Sequence, residues 1–187
     1  GAKKALDITN DNESLIGTIL LGNNIVNILA TSLATAYFVK LFGDKVSVIP
    51  LGLNLTAIYL CARGAVKRMS AGGRIVNVSS LASQDVYEGS GHYSAAKAGV
   101  NMLTKTLAYE LGPDIRVNAI LPGFVPTKVM MEALKIGDAD LPDLLKTLNL
   151  PTERLGSPDD MGVAILYLVS KGATWVTGQC LRVAGMP

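Results

Sequence analysis

The residues of this sequence with the clearest chemical potential are a tyrosine and a lysine four positions apart, Tyr93 and Lys97. On a helix, residues with this spacing lie on one face, one turn apart. A neighbouring ammonium favours the phenolate form and therefore lowers the pKa of a tyrosine. A phenol with a pKa near neutrality can donate a proton to a carbonyl oxygen or accept one from an alcohol.

Two serines, Ser79 and Ser80, follow a short β-branched stretch that ends shortly before this pair. A hydroxyl at the end of a strand could hydrogen-bond the same substrate oxygen and hold it in place. The tyrosine–lysine spacing is weak evidence alone, because six tyrosines and eleven lysines in 187 residues produce such a pair by chance in about one chain of three. The competing interpretation is a surface helix with a solvated lysine.

The elements that would position these residues begin after Pro50, where helical and strand-like stretches alternate and glycines mark the turns. Apolar periodicity predicts helices over 54–69, 93–111 and 158–169. Short β-branched stretches predict strands over 74–79, 116–121 and 181–184. Helices that alternate with strands indicate parallel pairing in a layered α/β sheet.

In this order the motifs resemble those of the short-chain dehydrogenase/reductase family over about 135 of the 187 residues. The matching stretches are NLT at 54–56, GRIVNVSS at 73–80, YSAAKAGV at 93–100, RVNAILPGFVPT at 116–127, RLGSPDDMG at 154–162 and TGQCLRVAG at 177–185. The resemblance implies a doubly wound, Rossmann-like parallel sheet with flanking helices. It also implies an oxidoreductase that uses NAD or NADP to reduce a carbonyl or oxidise an alcohol of a small-molecule substrate.

The resemblance implies a role for each matching residue. Tyr93 would be the general acid/base, Lys97 would lower its pKa and bind the nicotinamide ribose, and both residues would belong to the cofactor-binding set. Ser80, thirteen residues before Tyr93 as is common in the family, would orient the substrate oxygen. Asn54 would hold a water that relays protons towards Lys97. The residues implied to line the nicotinamide and its phosphates are Pro122, Gly123, Val125 and Thr127.

The sequence departs from the family before residue 50. The family fold opens with a strand, a glycine-rich turn and a helix N-terminus that binds the pyrophosphate. No GxxxGxG turn and no NNAG stretch occurs in the 187 residues, and no residue that selects NAD over NADP can be located. We therefore expect an incomplete sheet and weak or no binding of nicotinamide nucleotides. The sequence is compatible with both an active and an inactive enzyme.

A run of 26 residues without charge, from Ser14 to Val39, precedes this part. About 20 apolar residues suffice to cross a bilayer. A buried helix of a soluble protein and a secretory signal are the alternatives. Residues 3–45 resemble one stretch of the CNNM/CorC transmembrane domain, and the sequence LLGNNIVNILATSLAT carries most of the resemblance. We therefore expect a chimaera, with a hydrophobic, transmembrane-derived helical segment over 1–49 and the catalytic half over 50–187, and membrane contact through 14–39.

Composition narrows the classes of function. The net charge is +2 and no block of like charges occurs, which argues against nucleic acid as a partner. The single His92 argues against a histidine-based metal site and a Ser-His-Asp triad. Cys61 and Cys180 lack paired spacing, which favours a reducing compartment and a cytoplasmic location of the catalytic part. A single disulfide between these two cysteines is the alternative.

Two alternatives concern partners and function. The apolar faces of the helices predicted over 54–69 and 93–111 fit either a homo-oligomer interface or burial in the core. The alternatives to an enzyme are a non-catalytic membrane-anchored or interaction protein and a chimaeric fragment without selected function.

Overall fold

The computed structural model describes residues 48–186, with their side chains except those of residues 48–54, 129 and 133. In this part of the chain three parallel strands form one sheet in the order β1-β2-β3. The strands are β1 (Gly73–Val78), β2 (Ile115–Pro122) and β3 (Cys180–Val183). The helices are α1 (Val48–Val66), α2 (Gly91–Leu111), α3 (Lys128–Leu134), α4 (Leu141–Leu148) and α5 (Pro158–Val169).

The predicted order of elements is confirmed, and most boundaries agree within two residues. The exception is α1, which begins six residues before Asn54 and ends at Val66 instead of Met69. Pro50 is compatible with the earlier start, because the first turn of a helix does not need its N–H groups for internal bonds. Helices α3 and α4 lie in a stretch for which no element was predicted.

Helices cover both faces of the sheet. On one face Ile75 and Val117 pack with Ala62 of α1 and Leu107 of α2. On the other face Ile120 packs with Leu168 of α5. A parallel sheet covered on both faces explains why β2 is buried almost throughout its length. The result is the Rossmann-like α/β layering that the sequence predicts.

Strand β1 pairs with β2, and no second partner strand lies within the described residues 48–186. Because residues 1–47 lie outside the described part, the incomplete sheet stays a prediction. A sheet edge presents unpaired N–H and C=O groups and is a template for pairing with another segment or chain.

The start of α5 is fixed by a reciprocal capping arrangement. The Ser157 hydroxyl accepts a hydrogen bond from the Asp160 backbone N–H at 3.3 Å, and an Asp160 carboxylate oxygen accepts one from the Ser157 N–H at 2.8 Å. Arg154 donates to both carboxylate oxygens at 2.7 Å. The Arg154 guanidinium and then the Ser157 groups hold the pKa of Asp160 well below its usual range.

Replacing this cap should weaken the fold measurably. We expect Ser157→Ala to lower the free energy of unfolding by about 1 kcal/mol, because the Asp160 N–H loses its acceptor. Urea denaturation followed by circular dichroism measures the change. Ser157→Thr is the matched control because it keeps the hydroxyl, and an unchanged denaturation midpoint in Ser157→Ala would contradict the capping role.

Residues 1–47 lie outside the described residues, so the membrane resemblance over 3–45 and membrane contact through 14–39 stay predictions. Within 48–186, no helix has both the length and the apolar character needed to cross a bilayer. Cys61 and Cys180, both within this range, are not joined by a disulfide.

Candidate active site

The candidate site lies where the parallel strands end. β1 ends at Val78, Ser79 and Ser80 follow it, and α2 starts at Gly91. Open parallel α/β sheets bind their ligands at the carboxyl ends of the strands. The chain path therefore brings the predicted serine and the predicted tyrosine helix to the edge at which a ligand is expected.

The two serines after β1 have different surroundings. Ser79 is buried, and its hydroxyl donates to the backbone oxygen of Lys97 at 3.0 Å. The Ser80 hydroxyl accepts from the Ala82 N–H at 3.2 Å, and Ser80 lies near enough to the Tyr93 phenol to lower the pKa of that phenol. Ser79 therefore ties the strand end to α2, whereas Ser80 faces the tyrosine, as the spacing argument for Ser80 over Ser79 requires.

Lys97 is buried, with an exposed fraction of 4%. Its Nζ donates to the Val78 backbone oxygen at 3.0 Å and lies 5.7 Å from the centre of the Tyr93 ring. Burial lowers the pKa of Lys97 to about 8, because removal from water penalises the charged form. A surface helix with a solvated lysine, the competing interpretation of this pair, is therefore wrong.

Tyr93 stands in the first turn of α2 with 39% of its surface exposed. Burial around the hydroxyl raises the pKa of Tyr93, and the nearby Ser80 side chain lowers it by a smaller amount. The net direction is opposite to the lowering expected from the lysine. The physical reason is that the same burial that disfavours the ammonium of Lys97 also disfavours a phenolate.

Asn54 lies within α1 rather than at its start, which corrects the expected position. Its side chain is outside the described part, so the water relay towards Lys97 stays a prediction.

The predicted nicotinamide-binding residues follow β2 at the same edge of the sheet. Pro122 ends the strand, and Gly123 packs so closely against β3 that a Cβ there would lie 2.7 Å from the Ala184 Cα. Val125 is buried. The Thr127 hydroxyl accepts from the Met130 N–H at 3.3 Å and caps α3. Gly123 thus allows close packing and Thr127 caps a helix. Contact of these four residues with a cofactor stays a prediction.

Several residues near Ser80 were missed by sequence reasoning. The Asn101 amide donates to the Ser83 hydroxyl at 2.7 Å, just beyond Ser80. The Asp85 carboxylate, two residues beyond Ser83, accepts hydrogen bonds from both terminal guanidinium nitrogens of Arg182 on β3, at 3.0 and 2.9 Å. Asn101 could have been found, because it continues the four-residue spacing of Tyr93 and Lys97 along α2. The Arg182 contact had no local signal.

A cleft of about 310 Å³ opens beside the end of β3, on the side of α5. Gly123, Phe124, Arg154, Met161 and Arg182 contribute to its lining, whereas Ser80, Tyr93 and Lys97 do not. We assign the chemistry to the serine–tyrosine–lysine group, because the cleft contains no acid/base pair arranged for proton transfer and its Arg154 is already paired with Asp160.

Comparison with known proteins now adds to this geometry. A family model described as "Enoyl-(Acyl carrier protein) reductase" matches residues 25–185. The chain belongs to the short-chain dehydrogenase/reductase family. The match starts ahead of the predicted boundary near residue 50, so residues 25–45 fall both in the family match and in the segment that resembles a transmembrane domain. The chimaeric junction stays a prediction.

Curated relatives match over about seven tenths of the chain. A 3alpha-hydroxysteroid dehydrogenase of Mediterraneibacter gnavus is 43% identical over 136 residues, which cover 71% of this chain and 52% of the relative. A 3-oxoacyl-(acyl-carrier-protein) reductase of Rickettsia bellii is 35% identical over 138 residues, covering 72% and 55%. The chain thus spans about half the length of these relatives.

Solved structures show the same fold. A 4-hydroxyisoleucine dehydrogenase complexed with NADH is 30% identical, with a TM-score of 0.67, and the match covers 76% of this chain and 59% of that one. A gluconate 5-dehydrogenase of Burkholderia cenocepacia, in complex with NADP and tartrate, is 29% identical with a TM-score of 0.59, covering 71% and 51%.

Proposed function

We propose that this short-chain dehydrogenase/reductase chain carries the acid/base centre of an NAD(P)-dependent oxidoreductase that interconverts a carbonyl and an alcohol. The observation that carries the proposal is the buried Lys97 ammonium, which donates to the Val78 carbonyl and lies beside the Tyr93 ring. Burying a lysine costs free energy unless its charge is used or paired. A proton-transfer role gives this burial a function.

The proposed roles follow from the donors and acceptors present. The Tyr93 hydroxyl gives its proton to the carbonyl oxygen in reduction, or takes one from the alcohol in oxidation. The Ser80 hydroxyl donates a hydrogen bond to the same oxygen and orients it. Because burial raises the pKa of Tyr93, the phenol is protonated at neutral pH, which favours the reductive direction there.

The donor set near Lys97 fits a nicotinamide nucleoside. An ammonium has three N–H donors, and the bond to Val78 uses one of them, so the others can bind a ribose diol. Pro122, Gly123, Val125 and Thr127 follow the adjacent strand and would line the nicotinamide end. When bound, the cofactor supplies or accepts the hydride, and the protein positions the substrate and moves the proton.

The proposed substrate class is a small-molecule ketone or secondary alcohol. The relatives are named for a hydroxysteroid, an oxoacyl chain on a carrier protein and gluconate, which share only this reacting group. The exposed 39% of Tyr93 leaves the phenol reachable by a substrate of this kind.

The test is a titration of NADH and NADPH into the purified chain, followed by cofactor fluorescence. We expect weak but saturable binding, because the ribose contact is present while no glycine-rich turn occurs in the sequence. Lys97→Ala should weaken binding by roughly tenfold or more, which corresponds to the loss of a charge-assisted hydrogen bond. Lys105→Ala removes an exposed lysine from the same helix and is the matched control.

Equal affinity in Lys97→Ala and Lys105→Ala would contradict the role of Lys97. No binding by a chain with the circular dichroism spectrum of an α/β fold would contradict the proposal itself. That result would favour the alternative of a non-catalytic interaction or membrane-anchored protein, and the next experiments would then address residues 14–39.

We also propose that copies of this chain associate through α1 and α2 to form a homo-oligomer. Both helices carry large apolar side chains on their exposed surface: Leu55, Tyr59, Leu60, Met102 and Tyr109. Clusters of exposed apolar residues indicate a contact surface. Core burial, the competing explanation, accounts for Ile58, Ala62 and Leu107, which are buried.

A further inference from the structure

The turn that carries Ser80 is tied to α2 on both sides of Ser80. Before it, the Ser79 hydroxyl donates to the Lys97 backbone oxygen at 3.0 Å. After it, the Asn101 amide nitrogen donates to the Ser83 hydroxyl at 2.7 Å. The Ser83 hydroxyl in turn donates to the Ser80 backbone oxygen. Ser80 is therefore connected by side chains to the helix that holds Tyr93.

The direction of these bonds fixes how the Asn101 amide is oriented. The Ser83 hydroxyl uses its only hydrogen on the Ser80 oxygen, so it can only accept from Asn101. The nitrogen of the amide must then face Ser83. The Asn101 oxygen points into the buried interior, where it has no hydrogen-bond partner among the described residues.

A buried amide with an unsatisfied oxygen is a poor choice for stability alone. Asn101 is 8% exposed, and an apolar side chain there would avoid the desolvation of the orphaned acceptor. The Asn101 amide does, however, donate the hydrogen bond that holds the Ser83 hydroxyl. Positions at which the local choice conflicts with stability are often functional.

We infer that Ser83 and Asn101 are positioning residues that set the distance between the Ser80 hydroxyl and the Tyr93 phenol. This inference rests on the proposed function for its biological meaning. Its geometric content is independent of cofactor and substrate, because both groups are side chains of this chain.

The test uses the pKa of the Tyr93 phenol as a reporter of how closely Ser80 approaches it. Fluorotyrosine incorporation lowers the pKa of every phenol, so the titration falls at a pH at which the chain is folded. Fluorine NMR follows each ring, and the Tyr93 signal is assigned by its loss in Tyr93→Phe. The variants leave the nearby charged groups, Lys97 on α2 and the Asp85–Arg182 pair beyond the turn, unchanged.

Because the nearby Ser80 side chain lowers the pKa of Tyr93, loosening the turn should raise it. We expect an upward shift of about half a unit in Ser83→Ala and in Asn101→Leu. Ser83→Thr keeps the hydroxyl and should restore the original value. Thr104→Val is the matched control, because Thr104 of α2 accepts from the Asn77 amide of β1 at 2.9 Å in a buried pair that does not touch Ser80.

An unchanged Tyr93 titration in folded Ser83→Ala would overturn the inference. So would an equal shift in Thr104→Val, since that would mean a general loosening of α2. If the shifts occur as expected in a chain that neither binds nor turns over NAD(P)H, the positioning role stands and the proposed function fails. If turnover is present and the shifts are absent, the proposed function stands and this inference fails.

Discussion

Replacing Tyr93 by phenylalanine should lower kcat for ketone reduction by roughly 10²–10⁴-fold, the range for loss of a general acid. The substitution removes one oxygen and keeps the ring, of which 39% is exposed. The Ser80 hydroxyl is a far weaker acid than a phenol, and the Lys97 ammonium is held by the Val78 carbonyl, so Tyr93 is the proposed donor to the carbonyl oxygen. Single-turnover reduction of a ketone panel at saturating NADH or NADPH measures the effect on the chemical step.

Tyr109→Phe is the matched control for this experiment, because Tyr109 lies on the same helix and is 91% exposed. We expect it to leave kcat unchanged. Tyr93→Phe should bind the nucleotide with nearly unchanged affinity, because Lys97 provides the proposed ribose contact. A Tyr93→Phe variant that retains the activity of the parent chain would show that the proton comes from another group.

Removing the charge of Lys97 should change how stability depends on pH. The ordinary pKa of 10.5 applies to Lys97 in the unfolded chain, and burial lowers it to about 8 in the folded chain. Between these values the unfolded chain binds more protons, so the free energy of unfolding rises with pH. The difference corresponds to an increase of about 3 kcal/mol from pH 8 to pH 10.5.

Denaturant unfolding at several pH values from 7 to 10.5, about the span of the two pKa values of Lys97, measures this rise. Lys97→Met should abolish it, whereas Lys105→Met, which removes an exposed lysine of α2, should retain it. Burial raises the pKa of both Tyr93 and Cys180, so these two groups oppose the rise of the free energy of unfolding above about pH 9. The comparison with Lys97→Met isolates the contribution of Lys97. An identical pH profile in Lys97→Met and the parent chain would contradict an ammonium held in a buried site.

The open edge of β1 links the fold to the proposed activity. Within residues 48–186 the sheet ends at this strand, and Ser80 follows directly after it. In the resembled family the glycine-rich half of the sheet lies beyond this edge and binds the pyrophosphate. A segment that covers β1 would therefore both protect the edge and complete the nucleotide site.

The order of helices and strands was predictable because local rules determine it. A β-branched stretch such as 74–79 and a proline-started helix after Ser157 contain their signals within a few residues. The tyrosine–lysine pair was predictable for the same reason, since four-residue spacing on a helix fixes a shared face. Helix α1 shows the limit, because the boundary was placed six residues too late although Ser47, a residue type favoured at helix N-caps, directly precedes Val48 in the sequence.

The sequence by itself thus determined the α/β class, the order of the elements and the candidate acid/base pair. Only the tertiary structure decided that Lys97 is buried, that burial raises rather than lowers the pKa of Tyr93, and that Ser79 holds α2 while Ser80 faces the phenol. The physical reason is that desolvation and hydrogen bonding depend on distant segments. The Val78 carbonyl that holds Lys97 and the Ser83 hydroxyl that meets Asn101 lie 19 and 18 residues away in the chain. No local pattern specifies contacts at that separation, so they required the folded molecule.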